Sequence, residues 1–252
     1  MPARFHRSAA VLAAVFTLAT TAAAEVTEKI SKTYAFNPDG VISLSNVNGD
    51  VEIVAWDRNE VSLEAVKAAS SEDGLALINV EIDQTPGRLA IKSELRKKYK
   101  FWTLFNKSEV RFNLRVPAGV SLRRIDVVNS DVRVSGVRGY VDVDSVNGSI
   151  DAEGLSAGGH FDTVNGSIHA SFNALGATDK IVLDTVNGSC TAVFPAGAAF
   201  TLKADSVNGR VSCDFPITIA RSGHRHLKGA VNGGGATVVL DSVNGSLTVR
   251  SK

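Results

Sequence analysis

The sequence predicts an all-β fold, a parallel β-solenoid (β-helix-like) of stacked repeats with an N-terminal β-sheet that caps it. Three observations lead to this prediction. The hexapeptide Asp-Ser/Thr-Val-Asn-Gly-Ser occurs four times, related Val-Asn-Gly copies recur about every 20 residues, and apolar and polar residues alternate beside the copies. Beyond residue 24, no stretch shows the 3.6-residue apolar period of an amphipathic helix.

The first 24 residues have the composition of a secretory signal peptide. Arg4 and Arg7 form a basic start, residues 9–18 are apolar, and residues 22–24 are a small-residue cleavage site before Glu25. No later segment is long and apolar enough to span a membrane. We therefore expect an exported protein, periplasmic, extracellular or at the cell surface, with no transmembrane segment after cleavage.

The charge balance excludes one class of partner. Without residues 1–24, the chain carries 25 basic and 26 acidic residues. A chain so close to neutral has no overall field to hold a nucleic acid. We expect no nucleic-acid partner.

The region of residues 25–119 is predicted to be a β-strand region that caps the repeats and is continuous with them. Its strand-forming runs are separated by turns that contain Pro or Gly. The expected strands are residues 41–69, 80–93 and 110–116, and the expected turns are residues 37–40, 86–87 and 117–119.

The repeat region, residues 120–252, is organised around asparagines that precede a glycine. From Asn129, in a degenerate copy, to Asn208 the spacings are 18, 18, 22 and 21 residues. The interval from Asn208 to Asn244 is 36 residues and contains the Gly-rich copy at Asn232. A period near 20 residues is typical of a solenoid. The intact copies are centred on Asn48, Asn147, Asn165, Asn187, Asn208, Asn232 and Asn244.

Two architectures are compatible with this pattern. In an antiparallel β-meander, each Asn-Gly would be a two-residue hairpin turn, and strict alternation would then place Ser145 and Ile150 on one face. In a solenoid, each Asn-Gly would be a corner stacked on the previous one, about 4.8 Å away. The valine before each asparagine favours the solenoid, because hairpins would turn these valines outward. Near-identical repeats of about 20 residues also favour it.

In the solenoid, the hexapeptide has a structural role. The asparagine is expected to adopt a left-handed conformation and to bond its neighbours above and below, the glycine to supply a second permissive position, and the valine to re-enter the core. The predicted ladder of turns comprises Asn147, Gly148, Asn165, Gly166, Asn187, Gly188, Asn208, Gly209, Asn244 and Gly245.

The two cysteines form a possible disulfide. Cys190 lies three positions after its asparagine and Cys213 five after its own, which places both inward but two residues out of step. On adjacent coils their Cα atoms would be about 8 Å apart, beyond the usual disulfide range. A bridge would need a one-residue slip, and otherwise both are buried thiols.

Several stretches resemble a known family. They are "VNGDVEIVAWDRNEVSLEA" (Val47–Ala65), "VRFNLRVPAGVSL" (Val110–Leu122), "GGGATVVLDSVNGSL" (Gly233–Leu247) and the Val-Asn-Gly-Ser repeats. They are similar to the exported bacterial "putative adhesin" family of β-strand-repeat proteins, a domain of unknown function. The resemblance covers nearly the whole chain after residue 24. It implies a β-solenoid-like fold outside the cytoplasmic membrane, and it carries no catalytic residues over.

An aspartate recurs three residues before six of the asparagines. Stacking would form a column of like charges, which repel one another. One interpretation is a calcium ladder, since carboxylates are the ligands that calcium prefers. The other, which we favour because no glycine-rich calcium nonapeptide is present, is a set of exposed aspartates that accept turn N–H groups. We expect no metal site. The column comprises Asp126, Asp144, Asp162, Asp184, Asp205 and Asp241.

The segment of residues 95–107 is the least repeat-like, and cations and aromatic residues alternate in it. It is either a hairpin whose aromatics cap the core or a contact surface for a membrane interface, a glycan or a protein. The candidate contact residues are Arg96, Lys97, Lys98, Tyr99, Phe101 and Trp102.

We find no catalytic or cofactor-binding residues. Residues 154–158 match the G-x-S-x-G nucleophile motif, but no helical pattern follows them. The sequence thus favours a non-catalytic exported protein, an envelope scaffold or an adhesin-like surface whose partner is an envelope protein or glycan. The alternative is a β-helical polysaccharide lyase. A lyase would need a lined basic groove, whereas the basic residues of the repeats share no repeat position: Arg133, Arg138, Lys180, Lys203 and Arg210.

Overall fold

A computed structural model describes residues 25–96 and 108–252. The predicted signal peptide therefore lies outside the described residues. The described chain forms two large sheets and one short helix, α1 (Glu72–Leu77). The strands in chain order are β1 (Val26–Ala35), β2 (Val41–Asn48), β3 (Val51–Trp56), β4 (Glu60–Ala69), β5 (Ile78–Thr85), β6 (Arg88–Leu95), β7 (Ser108–Pro117), β8 (Ser121–Asn129), β9 (Val132–Ser135), β10 (Val141–Asn147), β11 (Ile150–Leu155), β12 (Gly159–Asn165), β13 (Ile168–Phe172), β14 (Lys180–Asn187), β15 (Cys190–Phe194), β16 (Phe200–Asn208), β17 (Val211–Cys213), β18 (Ile217–Ser222), β19 (His226–Val231), β20 (Ala236–Asn244) and β21 (Leu247–Ser251).

The repeats build a parallel solenoid. The strand before each corner asparagine lies in one sheet, and the strand after the glycine lies in the other. We call such a strand pair a rung. Sheet 1 has the order β1-β4-β7-β3-β9-β11-β13-β15-β21-β17, and sheet 2 has the order β18-β19-β16-β20-β14-β12-β10-β8-β2-β6-β5. Neighbouring rungs pair in parallel with their asparagines in register, as Asn147 does with Asn165.

The predicted fold class is therefore confirmed, and the antiparallel meander is wrong for the repeats. Antiparallel pairing is found at the ends of the sheets. It joins β1, β4 and β7 in sheet 1, and in sheet 2 it joins β5 to β6 and β18 to β19 to β16. Both sheets are consequently mixed, with a parallel centre.

The order of the rungs differs from the order of the sequence at the last repeats. The rung of Asn244 lies between those of Asn187 and Asn208, because β20 pairs with both β14 and β16. Asn232, which we expected to be a repeat copy, forms no rung. It lies in the turn between β19 and β20 with φ +48°, and its side chain donates to the Ala198 carbonyl at 2.9 Å.

The N-terminal region extends the same two sheets. The strands β2 and β3 form a rung that stacks on β8 and β9, so that the asparagine column begins at Asn48. The intervening strands continue each sheet outward, β7, β4 and β1 in sheet 1 and β6 and β5 in sheet 2. The helix α1, which the sequence pattern did not predict, begins where the Ser71 hydroxyl accepts the Gly74 N–H at 3.1 Å.

The core fills the space between the inner faces of the sheets. Each strand places every second side chain inward, and these residues are mainly Val, Ile, Leu and Phe with almost no exposure. Near the C-terminal rungs the core contains a run of phenylalanine rings. Their centroids are 5.3, 5.0 and 5.3 Å apart along the series Phe172, Phe194, Phe200 and Phe215.

The corner asparagines form one continuous ladder. Asn165 Nδ2 donates to Asn147 Oδ1 at 2.8 Å and Asn165 Oδ1 accepts from Asn187 Nδ2 at 2.8 Å. The backbone bonds run in the opposite direction, since Gly148 N donates to the Asn165 carbonyl at 3.0 Å. The same side-chain bond joins all neighbouring pairs in the series Asn48, Asn129, Asn147, Asn165, Asn187, Asn244 and Asn208.

The corner glycines are required by close approach of the rungs. A Cβ on Gly166 would lie 2.1 Å from the Gly148 carbonyl oxygen, and one on Gly188 would lie 1.8 Å from that of Gly166. The expected left-handed asparagine is wrong for these corners. In the described chain, positive φ at a residue other than glycine occurs at Arg124 and Asn232 alone. An extended asparagine followed by a residue without a side chain lets successive corners touch.

Gly166→Ala tests this close approach. Since the clashing atom belongs to the backbone of the next rung, we expect the substitution to lower the free energy of unfolding by about 3 kcal/mol or more, or to prevent folding. Gly197→Ala is the matched control, because a Cβ there meets nothing within 4 Å. Chemical denaturation of both variants measures the difference, and equal stabilities would contradict the packing argument.

Asn165→Ala tests the ladder. The variant loses one donated and one accepted amide bond, and we expect a loss of about 1–2 kcal/mol in the free energy of unfolding. Asn165→Asp keeps the acceptor and loses the donor, so it separates the two bonds. Asn113→Ala, on the exposed face of β7, should be nearly neutral. A neutral Asn165→Ala would show that the ladder adds nothing to the backbone pairing.

Candidate functional site

The outer face of sheet 2 carries an exposed column of valines, which we call the valine ridge. Its members precede the corner asparagines and are 36–57% exposed. The seven rungs give the ridge a length of about 29 Å at the usual strand spacing. The ridge comprises Val47, Val128, Val146, Val164, Val186, Val243 and Val207.

The expectation that these valines re-enter the core is wrong, and alternation along the strand explains why. The residue before each valine takes the inward position, and in most rungs it is Ser or Thr. In four of these rungs the hydroxyl donates to the glycine carbonyl of the neighbouring rung, as Thr163 Oγ1 does to Gly148 at 3.0 Å and Thr185 Oγ1 to Gly166 at 3.0 Å. The valine must then point to solvent.

The aspartates form a second column beside the ridge on the same face. Asp144 pairs with Asp126 and Asp162 on adjacent rungs, and Asp241 lies between Asp184 and Asp205. Ser45 continues the column on the rung of Asn48. In the described chain, none of the six carboxylates accepts a turn N–H, so this part of the favoured interpretation is wrong. They stand on the face of the sheet rather than at a strand end.

Partial burial and repulsion between neighbouring carboxylates perturb the titration of the column. Partial burial, and then the neighbouring carboxylates of Asp142, Asp126 and Asp162, raise the pKa of Asp144. Burial and Asp184 raise the pKa of Asp162. Basic side chains lie beside parts of the column, with Lys203 Nζ 3.5 Å from Asp205 Oδ2 and His160 Nδ1 3.4 Å from Oδ1 of Asp142, which adjoins the column.

Two groups of side chains could offer ligand atoms to a metal ion. Asp142, Asp144 and His160 lie on the outer face of sheet 2, and Asp151, Glu153 and His169 lie on that of sheet 1. In each group the ligand atoms lie within 4.8 Å of one another. Both groups occupy the rungs of Asn147 and Asn165, where a histidine of one rung is paired with an aspartate of the other.

The cysteines are not bridged, and the expectation of a possible disulfide is corrected. Both Cys190 and Cys213 are free thiols. The strand β21 lies between β15 and β17, with Cys190 opposite Leu247 and Cys213 opposite Val249. The cysteines are therefore two strands and two residues apart, about 12 Å, rather than on adjacent coils. Burial and the nearby carboxylates raise the pKa of Cys190 to about 12, and burial raises that of Cys213. Both thiols are poor nucleophiles at neutral pH.

The predicted contact segment lies almost entirely outside the described residues. Of its candidates, Lys97, Lys98, Tyr99, Phe101 and Trp102 fall there, and their role stays a prediction. Arg96 is described, exposed, and donates its backbone N–H to the Leu77 carbonyl at 3.0 Å.

The features that could have indicated catalysis are dispersed. The G-x-S-x-G match runs from the end of β11 into the start of the turn before β12, and a strand rather than a helix follows it. Arg133 lies on sheet 1 and Lys203 on sheet 2, so they do not share a groove. No helix in the described part of the chain has the length and apolarity to cross a bilayer.

Comparison with known proteins identifies the family. The chain belongs to the Toastrack DUF4097 family, which matches residues 14–250. This confirms the resemblance stated from the sequence. No curated protein matches the chain.

Solved structures of low identity also match. A "putative cell adhesion protein" from Clostridium sporogenes is 10% identical, with a TM-score of 0.48 over 89% of this chain and 100% of its own. A "putative adhesin" from Bacteroides fragilis is 13% identical, with a TM-score of 0.35 over 89% and 97%. A "putative lipid binding protein" from Parabacteroides distasonis is 12% identical, with a TM-score of 0.29 over 89% and 96%.

Asp162→Asn tests the repulsion within the column. Because the folded-state pKa of Asp162 is raised, the folded chain binds more protons than the unfolded one between the ordinary and the raised pKa. The aspartate therefore costs stability that returns as the pH falls through this window. We expect the variant to melt about 1–3 °C higher at pH 7, with the gain shrinking toward pH 4 and at high salt.

Asp57→Asn, an exposed position outside the column, is the control for this measurement. It should melt like the unmodified protein at every pH. A gain for Asp162→Asn that does not depend on pH would have another cause than charge repulsion.

Proposed function

We propose that the protein is a non-catalytic exported binding protein, an adhesin-like surface or scaffold of the cell envelope. Its partner is an envelope component, a protein or a glycan. The valine ridge is the observation that carries this proposal. A soluble domain ordinarily buries such residues or scatters them singly, and a contiguous exposed apolar strip is typical of an interaction site.

The ridge is suited to contact because it is rigid. Valine is stiff about χ1, and each ridge residue stands on a strand held on both sides, so little side-chain or backbone freedom remains to be lost on binding. The asparagine amides on one side and the aspartates on the other provide a polar border. This arrangement of an apolar centre and a polar rim is that of protein interfaces in general.

The scatter of Arg133, Arg138, Lys180, Lys203 and Arg210 over the repeats supports a non-catalytic role. These five basic residues lie on different faces, as Arg133 and Lys203 do, so they do not line one groove. Incubation with polysaccharides, followed by the absorbance of unsaturated products, tests the lyase alternative. We expect no product, and product formation would overturn the non-catalytic assignment.

Export is a further part of the proposal, and the composition of residues 1–24 supports it. Fractionation of cells that express the full chain, with a variant lacking residues 1–24 as control, tests it. We expect the full chain outside the cytoplasmic membrane and the shortened chain inside.

A triple variant, Val146→Thr, Val164→Thr and Val186→Thr, tests the ridge. Threonine keeps the β-branched shape, so the fold should be retained while the apolar contact is lost. We expect co-sedimentation with isolated envelopes to weaken by about tenfold or more. The control carries Val54→Thr and Val193→Thr on the outer face of sheet 1. Equal binding of both variants would rule the ridge out as the contact surface.

A further inference from the structure

A groove on sheet 2, at the end opposite the last rung, has features that the repeat does not require. The central strand β2 presents small side chains at its outer positions, Ser43 and Ser45, and it lies between β6 and β8. Those neighbours carry long cationic side chains, Arg88 and Lys92 on β6 and Arg123 and Arg124 on β8. We call this feature the arginine groove. It has a volume of about 820 Å³.

A β-bulge in β8 places two arginines at the wall of the groove. Ile42 and Leu44 of β2 pair with Leu122 and Ile125, so β8 has one residue more than its partner between these points. The extra residue lets both Arg123 and Arg124 project outward, where strict alternation would turn one of them inward.

The bulge has an energetic cost that the solenoid does not require. Arg124 adopts φ +64°, a left-handed conformation that is unfavourable for a residue with a Cβ. The equivalent strands β12, β14 and β20 pair with one another without a register shift. A strained residue at the edge of a groove is typical of a binding site.

Three of the four cations are available to a ligand. In the described residues, Arg88 and Arg123 make no ion pair, and Arg123 is held in place by the Tyr140 ring, whose centroid lies 4.2 Å from its Cζ. Arg124 makes only a long contact to Asp126, at 3.6 Å. Lys92 is engaged by Glu94 at 2.6 Å.

The groove also contains acceptors, which restrict the charge density of its ligand. Glu81 and Asp83 on β5, together with Asp126, line it beside the four cations. A densely charged polyanion would meet these carboxylates at every step. A ligand with widely spaced anionic groups can place them on the arginines and its hydroxyls against the carboxylates and the two serines. A flat lipid surface would not reach the floor of a groove.

We propose that the arginine groove binds an acidic oligosaccharide, a segment of a polysaccharide whose carboxylates are separated by hydroxyl-bearing sugar units. The planar guanidinium groups of Arg88, Arg123 and Arg124 bind the carboxylates, and Ser43, Ser45 and the groove carboxylates bind the hydroxyls. This inference rests on the proposed binding role and narrows its partner to one class. The groove and the valine ridge lie on the same face of sheet 2 but share no residue, so variants of each can be compared.

Calorimetric titration of the purified protein with carboxylated oligosaccharides tests the proposal. The probes are oligomers of galacturonate, of mannuronate and of hyaluronan, with methyl-esterified oligogalacturonate as the uncharged comparator and inorganic polyphosphate as the dense polyanion. We expect salt-sensitive binding of at least one carboxylated oligomer, with weaker binding of its ester and of polyphosphate.

Variants locate the site. Arg88→Gln with Arg124→Gln should weaken binding at least about tenfold. The matched control, Arg210→Gln with Arg250→Gln, changes the charge equally at two exposed positions of the distant rungs and should bind like the unmodified protein. Arg124→Gly should retain the bulge, melt no lower than the unmodified protein and still lose affinity, which separates binding from folding.

Four results would overturn the proposal: no binding of any carboxylated oligomer, equal binding of the ester, tighter binding of polyphosphate, or equal loss in the control variant. Each leaves the proposed envelope role open to its own test. If envelope co-sedimentation persists while the oligomers fail to bind, the ligand class is wrong and the binding role stands. If the oligomers bind and envelope association is absent, the ligand class stands and the proposed envelope role is wrong.

Discussion

The contact between successive Asn-Gly corners is the constraint on which the rest of the structure depends. The glycine of one rung lies so close to the carbonyl of its neighbour that no side chain fits between them, since a Cβ on Gly166 would lie 2.1 Å from the Gly148 carbonyl oxygen. That approach brings the asparagine amides within hydrogen-bonding distance and puts the inner hydroxyls of Thr163 and Thr185 within reach of the glycine carbonyls. Backbone, amide and hydroxyl bonds therefore fix the same register, and a slip of one residue would break all three at once.

Once the register is fixed, alternation determines the outer face. The inward position before the corner belongs to the hydroxyl that bonds the glycine carbonyl, so the next residue faces solvent. Because the same hexapeptide recurs in register, each outward position of the repeat forms a column of identical residues. A valine column and an aspartate column are the direct result, and the aspartates repel because they are identical. The exposed apolar ridge and the repulsion between aspartates therefore both result from the in-register stacking that stabilises the solenoid.

The sequence predicted the fold class and the in-register stacking, because both follow from a local repeat. It did not predict the position of the Asn244 rung between those of Asn187 and Asn208, since near-identical rungs can exchange neighbours without changing any local signal. The disulfide expectation failed for the same reason. The ridge follows from strict alternation counted outward from the buried Val143, which places Val146 on the outer face and not in the core. The arginine groove could not have been predicted from the sequence, because Arg88 and Arg124 are brought together only by the pairing of β6 and β8 with β2.

The departures from the repeat are therefore the most informative positions. A residue that follows the repeat is accounted for by the stacking, whereas a residue that breaks it at an energetic cost needs another reason to be there. Arg124 breaks the alternation and adopts a left-handed conformation, whereas the equivalent strands β12, β14 and β20 pair without a register shift. Asn46 also departs, replacing the inner hydroxyl with an amide that bonds Gly49 at 2.7 Å and Val110 at 2.8 Å and so joins the first rung to β7. That departure serves packing, and its bonds are internal. The Arg124 side chain has only the long contact to Asp126 inside the described chain, and it lines a groove open to solvent, where the proposed ligand would contact it.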